Sequence, residues 1–170
     1  MPERSENVWA PWRMDYIEGL SEGESPPACF LCHYHDHPDD ASQHVIWRSA
    51  RSLTLLNRFP YTTGHLLVAP TAHRARLDEL DAETLQELTA RLRDGMRLLD
   101  RVLKPHGYNV GMNLGRCAGA GLPDHLHWHI VPRWGGDTNF MSVVGGARVI
   151  PQDLDTTYAN CLKAAAELGV

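Results

Sequence analysis

Apolar and polar residues recur with two different periods along this chain, and the switches between them mark out its elements. From Gln43 to Pro70 the pattern is that of extended backbone: Val45 to Trp47, then Ser52 to Asn57, then, past the turn-forming segment Phe59 to Gly64, the apolar run His65 to Ala69 closed by Pro70. Short runs of large apolar residues bounded by Gly and Pro read as strands, so this stretch predicts three strands joined as antiparallel neighbours. Between Asp78 and Lys104 the period lengthens. Leu77, Leu80, Leu85, Leu88, Leu92, Met96, Leu99 and Leu103 fall at helical intervals and Pro105 stops the run, which predicts one long central helix. Gly107 to Gly115 reads as a fourth strand and His125 to Trp134, which opens in strict alternation, as a fifth. Pro151 sits well as the start of a C-terminal helix running to about Leu168. The expected fold class is α+β, an antiparallel sheet of about five strands with the long central helix and the C-terminal helix segregated to one side.

A chain of 170 residues is long enough for one domain with a real core and too short for two ordinary ones. The expected organisation is an N-terminal arm and linker over 1–28, a domain over 29–150, and a C-terminal helix over 151–170 packed on that same domain. Trp9 and Trp12 are too apolar for a free tail, so the arm is expected to pack onto the body or onto a partner subunit. With 43% hydrophobic residues, 22% charged residues and a net charge of −5, the chain has no basic excess to follow a nucleic-acid backbone. A nucleic-acid polymer is therefore not an expected partner. No apolar run approaches the length of a membrane span, and the first residues lack a basic region followed by a hydrophobic stretch, so the expected location is cytoplasmic.

The alternation over His125 to Trp134 carries the chemistry. In extended backbone successive side chains point to opposite faces, which puts His125, His127 and His129 on one face and Leu126, Trp128 and Ile130 on the other. A neutral imidazole offers a lone pair and an N–H, so such a row can bind metal, attack phosphorus or move a proton. His127, flanked on both sides, is the best-placed nucleophile. His129, Arg133 and backbone N–H groups of the loop Gly115 to Gly121 are candidate donors to the oxygens around a phosphorus centre. A catalytic metal pair is the competing use of alternating histidines, but Asp124 is the one acidic neighbour and no carboxylate cluster accompanies it.

Of the four cysteines, Cys29, Cys32, Cys117 and Cys161, the first two form a metal-knuckle spacing. Two further ligands would complete a structural zinc site. His33, His35 and His37 are local candidates and His73 and His125 distant ones, and spacing does not choose between them. Cys29, Cys32 and His33 also satisfy the attachment pattern of a c-type haem, which normally requires export.

The run His125 to Val131 resembles the signature of the histidine-triad superfamily of nucleotide hydrolases and transferases. The likeness extends to Leu56 through Pro70 and to Asn109 through Gly115. Pro132 to Phe140, together with Trp9 to Tyr16, is similar to the branch that cleaves dinucleoside polyphosphates, including diadenosine tetraphosphate phosphorylases of bacterial type. This resemblance implies that His127 attacks the α-phosphorus to form a nucleotidyl-histidine and that His129 contacts phosphate and assists the leaving group. It implies nucleotide binding by Asn57, Asn113, Gly119 and Gly121, a structural zinc ion on Cys29, Cys32, His73 and His125, and a homodimer built through the long helix and the adjoining strand. Many members carry Gln or Ser a few residues before the triad where this chain has Gly119, Ala120 and Gly121, so that phosphate contact falls to the backbone or is absent. The acceptor, water or phosphate, is left open. Nucleoside phosphoramidates as substrates and a nucleotide-binding module without turnover are the alternatives.

Overall fold

The computed structural model describes residues 29–138 and 149–169. Five strands, β1 (Val45–Arg48), β2 (Ser52–Leu56), β3 (Leu66–Pro70), β4 (Gly107–Met112) and β5 (Trp128–Arg133), form one sheet in the order β1-β2-β3-β5-β4. Every neighbouring pair is antiparallel. Four α-helices accompany them among the described residues: α1 (Phe30–Asp36), α2 (Asp40–Gln43), α3 (Ala82–Val102) and α4 (Leu154–Leu168). The α+β class expected from the sequence is the one observed, and the arm holding Trp9 and Trp12 lies outside the described residues.

β2 and β3 are buried along their whole length because both of their faces are covered. On one face Leu56, Leu66, Val68 and Ile130 pack with Leu88, Leu98 and Leu99 of α3 and with Cys161, Ala164 and Ala165 of α4. On the other, Leu53, Leu55, Leu67 and Ala69 pack with Cys29 and Leu31 at the start of α1. Register then places the histidines. Leu67 pairs with His129 and Leu66 with Ile130, so His129 shares the α1 side of the sheet while Ile130 enters the α3 core. Trp128 also packs against the α3 core, which accounts for its bulk between two histidines.

Gly95 lets α3 approach this core closely. A Cβ there would lie 2.8 Å from Cδ1 of Ile130 and 3.3 Å from Cδ1 of Leu66, the residues next to His129 and His65.

Four boundaries differ from the sequence reading by three residues or more. β5 begins at Trp128, because β4 ends opposite it at Met112 and the Leu126 N–H bonds instead to the Arg74 carbonyl, at 2.6 Å. His125 and His127 therefore lead into the strand and are not held in its ladder. β4 likewise stops at Met112 short of Gly115, whose φ of +81° is incompatible with a continued strand. α3 starts at Ala82, since the Asp81 carboxylate accepts from the Thr84 N–H at 2.7 Å and caps it there; Leu77–Glu79 is a separate 3₁₀ turn. α4 starts at Leu154 on the Asp153 cap, so Pro151 precedes the helix.

Candidate active site and metal cluster

The protonation pattern of the histidines follows from groups that can act in one sense only. A backbone amide donates: the Tyr61 N–H lies 3.1 Å from Nδ1 of His65, and Nδ2 of Asn57 lies 3.2 Å from the same atom. Nδ1 of His65 is thus an acceptor, and in the neutral ring the proton sits on Nε2. That Nε2 is 2.9 Å from Nδ1 of His129 and donates to it. His129 is fixed in turn with its own proton on Nε2. His127 is fixed the opposite way, because a carbonyl only accepts: its Nδ1 lies 2.9 Å from the His125 carbonyl, so Nδ1 donates and Nε2 keeps the lone pair.

Burial keeps these rings neutral. It drives His65 down to about 3, helped by the neighbouring His129 and His127, and His129 down to about 4, helped by His127. His127 is also lowered by burial, against the opposing pull of its bond to the His125 carbonyl. The rings of His127 and His129 meet edge to face, centroids 5.0 Å apart. An unprotonated nitrogen able to attack therefore stands beside an N–H able to donate.

His129 lines a cavity of about 960 Å³ together with Tyr61, Asn113, Arg133 and Trp134, with Val149 and Pro151 also in its lining. His127 is one ring removed from that lining and 8% exposed. Arg133 does not offer the cavity an unengaged charge: its Nε and Nη2 donate to Asp137 at 2.5 and 3.0 Å and its Nη1 to Asn109 at 2.7 Å. Gly119 and Gly121 lie in an exposed loop apart from the lining, while Asn57 is engaged at both ends, its Oδ1 accepting from the Phe59 N–H at 3.0 Å. His65 and Tyr61 are the site residues that sequence reasoning passed over. His65 heads an otherwise apolar strand, where a single imidazole breaks no local pattern.

The first histidine faces elsewhere. Nε2 of His125 donates to the Pro70 carbonyl at 2.9 Å, which turns the Nδ1 lone pair toward the sulfurs of Cys29, at 3.1 Å, and Cys32, at 3.5 Å. Nδ1 of His73 lies 3.2 Å from the Cys32 sulfur, and all four donor atoms fall within 4.8 Å of one another. Cys29 caps α1 and Cys32 sits in its first turn, so one helix start presents both sulfurs. A tetrahedron with metal–ligand bonds of about 2.0–2.3 Å has edges of about 3.3–3.8 Å, close to the 3.1, 3.2 and 3.5 Å contacts and shorter than the 4.8 Å that bounds the set. The cluster could hold one metal ion. His33, His35 and His37, the local candidates, are not part of it.

Alternating histidines leading into the strand beside a β-hairpin, over an antiparallel sheet backed by one long helix, define a protein of the histidine-triad class. Residues 39–136 match the HIT domain, and the chain belongs to that family. It is 38% identical over 160 residues, 91% of this chain and 82% of the other, to a Mycobacterium tuberculosis protein named AP-4-A phosphorylase. It is 34% identical over 85 residues, half of this chain and 60% of the other, to adenosine 5'-monophosphoramidase hnt1 of Schizosaccharomyces pombe. Among solved structures it resembles a Zn-bound histidine triad family protein from Mycobacterium smegmatis, with a TM-score of 0.66 and 28% identity over 83% of this chain and 95% of that one.

Proposed function

We propose that this protein is an enzyme that cleaves dinucleoside polyphosphates such as diadenosine tetraphosphate at the α-phosphate, through a nucleotide bound to His127. The observation that carries this reading is a pair of contacts, Nδ1 of His127 at 2.9 Å from the His125 carbonyl and Nδ1 of His129 at 2.9 Å from Nε2 of His65, from which opposite tautomers follow, with the lone pair on Nε2 of His127 and the proton on Nε2 of His129. Nε2 of His127 attacks the α-phosphorus, and the bond to the bridging oxygen breaks with its electron pair leaving on the polyphosphate. His129 donates a hydrogen bond to that oxygen as charge gathers on it. The imidazole bound to phosphorus becomes cationic and is stabilised through its Nδ1–H by the His125 carbonyl. Water or phosphate then attacks and loses its proton to solvent, the phosphorus–nitrogen bond breaks with its electron pair returning to Nε2, and neutral His127 is restored. Asn113, in the cavity wall, is assigned to the sugar or phosphate, and Asn57 to the ribose and to His65. Gly119 and Gly121 are assigned to phosphate through their backbone.

Cys29, Cys32, His73 and His125 would hold a structural zinc ion. Its place in the chemistry is indirect: it would fix His125, whose carbonyl orients His127. The relative named AP-4-A phosphorylase favours phosphate as the acceptor. A homodimer suits the outer edge of β4, where Val110 is 43% exposed.

Product analysis after incubation with diadenosine tetraphosphate, with and without inorganic phosphate, tests the reading. ATP with ADP, formed only when phosphate is supplied, is the expected result. ATP with AMP in both samples assigns water as the acceptor, and no cleavage in either refutes the substrate class.

A further inference from the structure

The turn between β2 and β3 brings one aromatic residue against both members of the His65–His129 pair. The Tyr61 ring lies on His65, centroids 4.7 Å apart and planes 35° apart, and stacks near-parallel with His129 at 5.9 Å and 22°. Its backbone N–H separately donates to Nδ1 of His65 at 3.1 Å. It also lines the cavity that His129 faces, while His65 behind it is fully buried.

We propose that Tyr61 is a positioning residue for His129, its ring closing the hydrogen bond between His65 and His129 to water and holding His129 with the proton on Nε2. This rests on His129 being the group that assists departure of the leaving oxygen. The physical reason is competition. The bond from Nε2 of His65 to Nδ1 of His129 survives best where water does not offer Nδ1 another partner, and the Tyr61 ring, 45% exposed on its own outer side, covers both imidazoles from the cavity side and restricts the approach of that water. A neutral His129 exposed to water divides between two tautomers, one of which has no proton on Nε2 to donate. The main-chain N–H stays in place when the side chain is shortened, so Tyr61→Ala isolates the ring from the amide.

The experiment compares wild type, Tyr61→Phe and Tyr61→Ala on aryl esters of AMP with graded leaving groups. Stabilising the departing oxygen matters most for the poorest leaving group. Tyr61→Ala is expected to lose about tenfold in kcat on the phenyl ester and less than about twofold on the 2,4-dinitrophenyl ester, with Tyr61→Phe restoring the wild-type dependence. Equal losses on both esters, or failure of Tyr61→Phe to restore, overturns the proposal. A second measurement needs no turnover: ¹⁵N resonances of His129 should report the Nε2–H tautomer in wild type and Tyr61→Phe and a tautomer mixture in Tyr61→Ala, whereas an unchanged signature in Tyr61→Ala overturns it. A wild type that cleaves neither the esters nor diadenosine tetraphosphate refutes the proposed function, and the ¹⁵N signature then decides the role of Tyr61 alone.

Discussion

Nε2 of His65 lies 2.9 Å from Nδ1 of His129, and this one hydrogen bond sets which nitrogen of His129 carries a proton. Replacing His65 by Leu removes the donor and releases His129 to take the other tautomer. Since in the proposed mechanism His129 acts on the departing oxygen and not on the bound nucleotide, His65→Leu should lower kcat by roughly 10- to 100-fold with KM within about threefold. Steady-state kinetics decides this: a rise in KM alone would show that His65 serves binding.

In the proposed mechanism His127 makes the opposite kind of contribution, its Nε2 being the atom that would bond to phosphorus. His127→Ala should abolish turnover while mononucleotide binding, followed by calorimetry, stays within about tenfold, or roughly 1.4 kcal/mol. Retained turnover would refute the covalent route.

Acidification acts on the same histidines. The unfolded chain binds protons near the ordinary value of 6.5, whereas folded His65 waits until about 3 and His129 until about 4. Between those limits the unfolded state holds more protons, so stability is complete above 6.5 and is lost as pH falls, by up to about 1.4 kcal/mol per pH unit for each histidine. Below the folded values both states are protonated and that dependence ends. Thermal melts from pH 7 to pH 4 should therefore show a falling Tm that the His65→Leu variant shows less steeply. A Tm independent of pH over this range would contradict neutral burial.

A metal ion held by Cys29, Cys32, His73 and His125 would couple folding to the proposed nucleophile, because His125 gives its Nδ1 to the cluster and its carbonyl to His127. Elemental analysis should find about one zinc ion per chain, lost in Cys29→Ser, and chelation should lower Tm. Slower turnover of the metal-depleted protein with unchanged KM would follow from a misoriented His127. Metal-free wild-type protein would refute the site.

The row of three histidines and the paired cysteines were legible because alternation and close spacing are properties of neighbouring residues. Spacing alone did not divide the row, and the assignment of His125 to the cluster came from the family resemblance. His125 turns away to the cluster because β3 ends at Pro70, whose carbonyl takes Nε2, and no local pattern encodes that meeting across 55 residues. His65 was hidden for a similar reason: it heads a strand buried on both faces, where one imidazole among Leu66, Leu67 and Val68 breaks no periodicity. The boundaries of α3 and α4 moved to Asp81 and Asp153 because side-chain caps fix where helical hydrogen bonding starts, whereas apolar spacing marks only the face that is buried.

Gly95 separates two opposing effects. Ala is favoured over Gly in a helix interior by about 1 kcal/mol, so Gly95→Ala in α3 would stabilise an isolated helix. In the folded chain the added Cβ would meet Cδ1 of Ile130 at 2.8 Å and Cδ1 of Leu66 at 3.3 Å. Both contacts are with side-chain tips, but both side chains are 0% exposed, so turning either one away displaces a packed neighbour. Overpacking of this kind typically costs about 1–3 kcal/mol, which outweighs the gain in helix propensity. The variant should be less stable by about 1 kcal/mol in chemical denaturation. The strain would also reach the site, since Ile130 is the strand neighbour of His129 and Leu66 of His65, so a displaced α3 or a shifted strand changes the 2.9 Å contact between the two imidazoles. Loss of kcat in a variant that stays folded is the expected companion result, and an equally stable, equally active Gly95→Ala would show that α3 does not press on the histidine pair.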